Sequence, residues 1–320
     1  MRTFRFVVLR GVSILAFFLL LITAWFLWQA NKPIPADATY VALGSSFAAG
    51  PGILPYANDD AQLCTQSSLN YPHLIARRLN LKLADRTCSG AQTTNLLDRG
   101  QFLQHRQLDA VNARARLVTI TIGGNDVNYI GNLYAWSCQV QPKAVPRLLA
   151  SSVCKTQAAS AIEPRFQALP AQFDRIFTEI HQRAPGAQVI VVDYLPIVPA
   201  QGSCTELALD DVHRREARQV AARLAAITAT ATARNHATLV RASELGRGHE
   251  VCSADPWVQG FVWFSNLLAP EHAAYHPNIK GMTALAQAIE QAVRLEHGRS
   301  DKRTERGGRS VNGCKLSVSS

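Results

Sequence analysis

Four short segments of the chain carry the residue types that acyl transfer requires. Gly44-Ser45-Ser46-Phe47 offers a hydroxyl on a turn between a strand and a helix. Cys88-Ser89-Gly90-Ala91 and Gly123-Gly124-Asn125-Asp126 offer backbone N–H groups and a side-chain amide, and Tyr275-His276-Pro277-Asn278 offers an imidazole near the C-terminus. A serine becomes a nucleophile when a base takes its proton, and the tetrahedral intermediate needs donors already aimed at its oxyanion. Ser46 as nucleophile, His276 as base, and the Ser46 N–H, Gly90 and Asn125 as oxyanion donors make up that set. Each also has an ordinary use: Ser46 or Asn125 as a helix cap, Gly90 as a turn glycine, His276 as a loop histidine. Singly each segment is a weak signal, because short glycine-containing strings recur by chance. His272 lies four residues before His276, a spacing that a metal pair could use. No H-E-x-x-H pattern or third ligand accompanies it, and no metal or cofactor is expected.

These segments need elements to hold them. Residues 39–44, 81–87, 115–123, 187–196 and 238–242 read as five short strands, 39–44 and 187–196 apolar and 115–123 rich in β-branched side chains. Asn70 can cap a helix over residues 71–79, with Pro72 in its first turn. Further helices are expected over 161–184, interrupted or started late by its prolines, over 207–237 and over 280–295. Residues 128–158 read as irregular. Strands alternating with helices predict a three-layer α/β/α domain with a mostly parallel, flavodoxin-like central sheet. In such sheets ligand sites gather at the carboxyl ends of the strands. Three of the four segments lie there, and the fourth opens the last helix.

With that arrangement in place, the chain resembles the SGNH/GDSL hydrolase family, named for Ser, Gly, Asn and His in four blocks. VALGSSFAAG, TIGGNDV and YHPNIKG stand in the family's order, and the likeness covers most of residues 39–295. It implies a carboxylic ester hydrolase in which Ser46 attacks, His276 is the base, and Gly90 and Asn125 complete the oxyanion hole. Gly248-His249-Glu250-Val251-Cys252 and Pro256-Trp257 resemble the secreted, disulfide-containing esterase/lipase branch. Two departures stand out. Ser45 replaces the usual aspartate of Gly-Asp-Ser-Leu, and Ala273 replaces the usual aspartate three residues before the histidine. The resemblance therefore implies that a backbone carbonyl, that of Ala273, orients His276; Glu271 is the competing acceptor. Trp257, Phe261, Trp263 and Phe264 are core residues or walls of an acyl pocket, and His249 is a structural loop residue.

The seven cysteines include no C-x-x-C pair, so a zinc cage is not expected. Cys314, in a polar tail, is the odd one out. Cys64, Cys88, Cys138, Cys154, Cys204 and Cys252 can pair in fifteen ways, of which sequence-neighbour pairing is the simplest. The resemblance supports that pairing.

The chain has 320 residues, 48% of them hydrophobic, and a formal net charge of +10. Three arginines in the first ten residues and a net +4 after residue 296 carry most of that excess, leaving +3 for residues 39–296. Without a basic face or a nucleic-acid-binding signature, a nucleic-acid partner is not expected. Residues 11–28 are uncharged and apolar, follow a basic flank and end in Trp25 and Trp28. They read as a membrane anchor, or else a signal peptide, over residues 1–30, with the rest of the chain outside the cytoplasm. Residues 31–38 form a linker, 39–296 the hydrolase domain and 297–320 a disordered basic tail. The whole predicts an exported, monomeric serine esterase or lipase acting on carboxylic esters, lipids among them, and membrane-bound through residues 11–28. Its rivals are an acyltransferase or thioesterase on the same site, or a catalytically silent envelope binding protein.

Overall fold

A computed structural model describes residues 2–30, 33–57, 62–141, 154–261 and 271–311. Five parallel strands form one sheet in the order β2-β1-β3-β4-β5: β1 Tyr40–Gly44, β2 Leu83–Asp85, β3 Leu117–Thr121, β4 Gln188–Val192 and β5 Thr238–Val240. All five predicted strands are present, each trimmed at its ends. Every residue of β1 and β3 is buried, which suits strands covered on both faces. Their register, from Tyr40 opposite Leu117 to Gly44 opposite Thr121, brings the two carboxyl ends level. The buried hydroxyls of Thr119 and Thr121 pair with those of Tyr40 and Tyr71, each at 2.9 Å, so β3 carries no unpaired side chain into the core. The order reverses between β1 and β3, and at such a switch point a crevice opens above the carboxyl edge.

The helices are α1 Arg2–Ala30, α2 Ser46–Ala49, α3 Tyr71–Leu79, α4 Thr93–Leu97, α5 Tyr129–Val140, α6 Ala159–Arg183, α7 Asp211–Arg234, α8 Ala242–Leu245 and α9 Ile279–Val311. Asn70 caps α3 as expected, accepting from the His73 N–H at 2.9 Å, and Asp210 caps α7 in the same way. The pairs α3–α9 and α6–α7 pack together and supply the helical layers of a three-layer α/β/α fold.

Three expectations need correction. Residues 129–140 are helical, because Ile130, Leu133 and Trp136 recur at helical spacing and are buried. Helix α6 runs unbroken through Pro164 and Pro170. Its buried face, from Ile162 through Phe166, Leu169, Phe173 and Phe177 to Ile180, outweighs the donors lost at the two prolines. The last helix extends to Val311, well into the tail expected to lack structure. A helix nucleated by its packed first half lengthens through polar residues at little cost. Cys314, Trp263 and Phe264 lie outside the described residues.

In α1 residues 10–25 are exposed without exception, so no face of that stretch packs on the domain. Among the described residues no helix is long and apolar enough to cross a membrane. The anchor expected over residues 11–28 is therefore not supported. Three disulfides, Cys64–Cys88, Cys138–Cys154 and Cys204–Cys252, join sequence neighbours as expected.

Candidate active site

Ser46 follows β1 directly and opens α2, which places it over the sheet edge. The turn needs Gly44. Its φ of +145° is a glycine conformation, and a Cβ there would lie 2.4 Å from the Thr121 carbonyl oxygen of β3. Buried Gln107 clamps the same residue. Its amide oxygen accepts from the Gly44 N–H at 2.8 Å, and its amide nitrogen donates to the Gly44 carbonyl at 3.0 Å. The strand end is thus fixed from both sides two residues before Ser46.

The Ser46 hydroxyl lies 2.8 Å from His276 Nε2, across 230 residues of chain. Both residues are buried. The other ring nitrogen, Nδ1, lies 2.8 Å from a backbone carbonyl, and that carbonyl belongs to Ala274. A carbonyl can only accept, so Nδ1 carries the proton and Nε2 is bare to receive the serine's. The carbonyl of Ala273 is engaged elsewhere, accepting the His276 backbone N–H at 3.2 Å in a tight turn. That turn, with Tyr275 at φ +61°, corrects the expectation that Ala273 orients the ring. The Tyr134 hydroxyl also donates to the Ala274 carbonyl, at 3.0 Å, and so fixes the acceptor in place. Glu271 is exposed and has no recorded bond to His276. Burial pushes the His276 imidazole from its ordinary 6.5 down to about 4, the Ala274 carbonyl opposing the shift. The ring is therefore neutral at pH 7.

Gly90 and Asn125 lie on the loops that follow β2 and β3, the strands on either side of β1. Gly90 has φ +81°, and a Cβ there would meet only the Gln101 amide nitrogen at 3.7 Å, an ordinary contact, so backbone conformation rather than crowding requires glycine. Neither the Ser46 nor the Gly90 N–H has an acceptor among the described residues. The Asn125 amide donates one hydrogen to the Ala91 carbonyl at 2.9 Å, which leaves its second free. Asp126 ties the two loops together, accepting from the Thr93 N–H and hydroxyl. Ser45, where the family has aspartate, lies 3.3 Å from the Tyr194 hydroxyl, which itself accepts from the Gly124 N–H at 2.8 Å. The Phe47 ring packs between Tyr194 and His276, at 4.7 and 5.5 Å, and steadies the imidazole.

Other expected residues take structural places. His272 Nε2 meets the Gly260 carbonyl at 2.9 Å. His249 stacks on Trp257 at 3.8 Å and is held through Nδ1 to Asp255. Phe261 packs against Tyr134 and Tyr275. Sequence reading missed Gln107, Tyr134 and Tyr194, which stand 63, 140 and 70 residues from Gly44, Ala274 and Gly124, the residues they hold. Each is a common residue type with no motif around it. Asp126 was visible, as part of Gly-Gly-Asn-Asp, but its partner Thr93 was not.

A doubly wound parallel sheet with a serine–histidine pair above its carboxyl edge is a hydrolase architecture. The chain belongs to the GDSL-like lipase/acylhydrolase family, whose model matches residues 42–284, and is a carboxylic ester hydrolase. It is 32% identical to a lipase of Streptomyces rimosus over 270 residues, covering 83% of this chain and 91% of that protein. To lipase 2 of Streptomyces coelicolor it is 35% identical over 277 residues, covering 82% and 89%. Among solved structures it is similar to an extracellular lipase from Streptomyces rimosus, with a TM-score of 0.62 and 29% identity over 79% of this chain and 98% of that one.

Proposed function

We propose that the chain is an exported serine esterase or lipase whose reaction runs through an acyl-enzyme on Ser46. The observation that carries this reading is the 2.8 Å contact between the Ser46 hydroxyl and the bare Nε2 of a neutral, buried His276. Ser46 Oγ attacks the ester carbonyl carbon as His276 Nε2 takes its proton. The carbonyl oxygen becomes an anion facing the Ser46 N–H, the Gly90 N–H and the second amide hydrogen of Asn125. The tetrahedral intermediate collapses, the C–O bond to the alcohol breaks, and His276 returns the proton to the departing oxygen. Water then gives its proton to His276 and attacks the acyl-enzyme, releasing the acid and restoring Ser46. Residues 39–296 form the catalytic unit. Three disulfides support export, since such bonds persist in oxidising compartments. The Streptomyces rimosus relative is likewise described as extracellular.

A fluorophosphonate probe tests the nucleophile. Labelling is expected at Ser46, lost in Ser46→Ala along with ester hydrolysis, while the circular dichroism spectrum stays that of the parent. A folded parent protein that does not label at Ser46 overturns the reading.

A further inference from the structure

We propose that the loop at Phe102-Leu103, with Leu63 beside it, is the face by which the enzyme docks on a lipid surface. This rests on the ester-hydrolase site proposed at Ser46. Phe102 and Leu103 are consecutive, 41% and 70% exposed, and both left-handed, with φ of +51° and +64°. Bulky residues rarely adopt that conformation, and two in a row hold it only where the surroundings impose it. The surroundings here are specific. A Cβ on Gly100 would lie 1.9 Å from the Gln104 carbonyl oxygen, so the turn closes as tightly as glycine permits. On either side of the pair, Gln101 donates to the Ser89 carbonyl at 3.0 Å and Gln104 contacts Cys64 Sγ at 3.7 Å. The chain thus buries the glutamine amides and turns the two apolar side chains outward.

Leu63, also exposed, precedes Cys64, whose disulfide to Cys88 and whose carbonyl, accepting the Ser89 N–H, join it to the same unit. Leu54 is exposed too, one residue before Pro55, whose carbonyl accepts from Ser68 in the segment that follows Cys64. Single exposed apolar residues need no explanation, and Val212 and Leu295 elsewhere are of that kind. Phe102, Leu103 and Leu63 sit instead on loops laced to Ser89, and Ser89 precedes the oxyanion donor Gly90. Gln101 Nε2 lies 3.7 Å from where a Cβ on Gly90 would stand, so the loop that carries Phe102 and Leu103 stands against Gly90. Arg99, exposed, adds a cation suited to lipid phosphates. A water-soluble protein partner would be a competing occupant. The continuity with the ester site favours the lipid surface.

The test uses the full chain and the double variant Phe102→Asn/Leu103→Asn. Asparagine tolerates the left-handed backbone, so the substitution removes apolar surface without breaking the turn. Two rates are compared: hydrolysis of a dissolved short-chain ester, and of a long-chain ester carried in phosphatidylcholine vesicles. The dissolved rate is expected to stay within two-fold and the vesicle rate to fall at least ten-fold. Equal rates on vesicles overturn the proposal, since α1 is common to both proteins. Should the variant lose both rates, Phe102→Leu/Leu103→Met and Phe102→Ser/Leu103→Met decide: only an apolar requirement at 102 lets the first outperform the second on vesicles, and parity between them overturns it. A parent protein inactive on the dissolved ester would instead count against the reaction proposed at Ser46.

Discussion

In the proposed reaction His276 acts through its surroundings. With burial holding its imidazole down to about 4, the base is unprotonated over most of the pH range. Activity needs the unprotonated form, so kcat/KM on a neutral ester should rise with pH through about 4 and be level by pH 6. An acid limb at 6.5 or above, measured on the free enzyme's kcat/KM profile, would show that the ring is solvated. The same depression makes the folded state lose stability as pH falls from the unfolded imidazole's range, near 6.5, through the folded value, because the unfolded chain binds that proton first. The orienting acceptor gives a second test. The ring's Nδ1–H is satisfied by the Ala274 carbonyl, itself held by Tyr134. Glu271→Gln should therefore leave turnover within a few-fold of the parent. A drop approaching the ~10⁴ seen when a triad carboxylate is neutralised would make Glu271 the partner.

At the scale of elements, the end of β1 matters most. Gly44 exchanges both its backbone hydrogen bonds with the Gln107 amide, and its carbonyl also accepts from the Cys88 N–H at 3.0 Å. Removing Gln107 thus orphans the buried Gly44 N–H but not the carbonyl. Gln107→Leu should cost about 1–3 kcal/mol in denaturant unfolding, the penalty for one unsatisfied buried group. Because the strand end leads straight into Ser46, turnover should fall with it. A variant of parental stability would mean that water or a shifted backbone replaces the amide. The elements themselves were largely legible in the sequence. Strands buried on both faces read as short apolar runs, and Asn70 announces the helix it caps, whereas the start of α7 at Asp211, capped by Asp210, was placed four residues too early. The span of α6 was legible but its continuity through Pro164 and Pro170 was not, and α5 was missed; in both, burial of an apolar stripe overrode the local signals.

Across the whole molecule the disulfides divide into two kinds. Cys64–Cys88 staples the loop that carries Gly90, whereas Cys204–Cys252 joins loops after β4 and β5. Closing 24 and 48 residues, each should stabilise by roughly 3–4 kcal/mol in the chain-entropy model. Replacing either pair by serines should lower the thermal midpoint. Only the Cys64→Ser/Cys88→Ser protein should also lose kcat at temperatures where it remains folded, because its oxyanion donor loosens. Equal kcat in the two variants, compared well below both midpoints, would separate that bridge from the site.

The sequence by itself determined the fold class, the disulfide-bearing branch of the family, and the four segments that carry Ser46, Gly90, Asn125 and His276. These are written locally, in the composition of short buried strands and in turns where a glycine or an amide has few substitutes. Tertiary structure alone decided which carbonyl faces His276, that Gln107 clamps the strand end, that Tyr134 and Tyr194 brace the loops, and that Phe102 and Leu103 point outward. Each of those depends on where two distant segments meet. A hydrogen bond or a ring contact is made between atoms a few ångströms apart in space, and separation along the chain leaves no local pattern from which to read it.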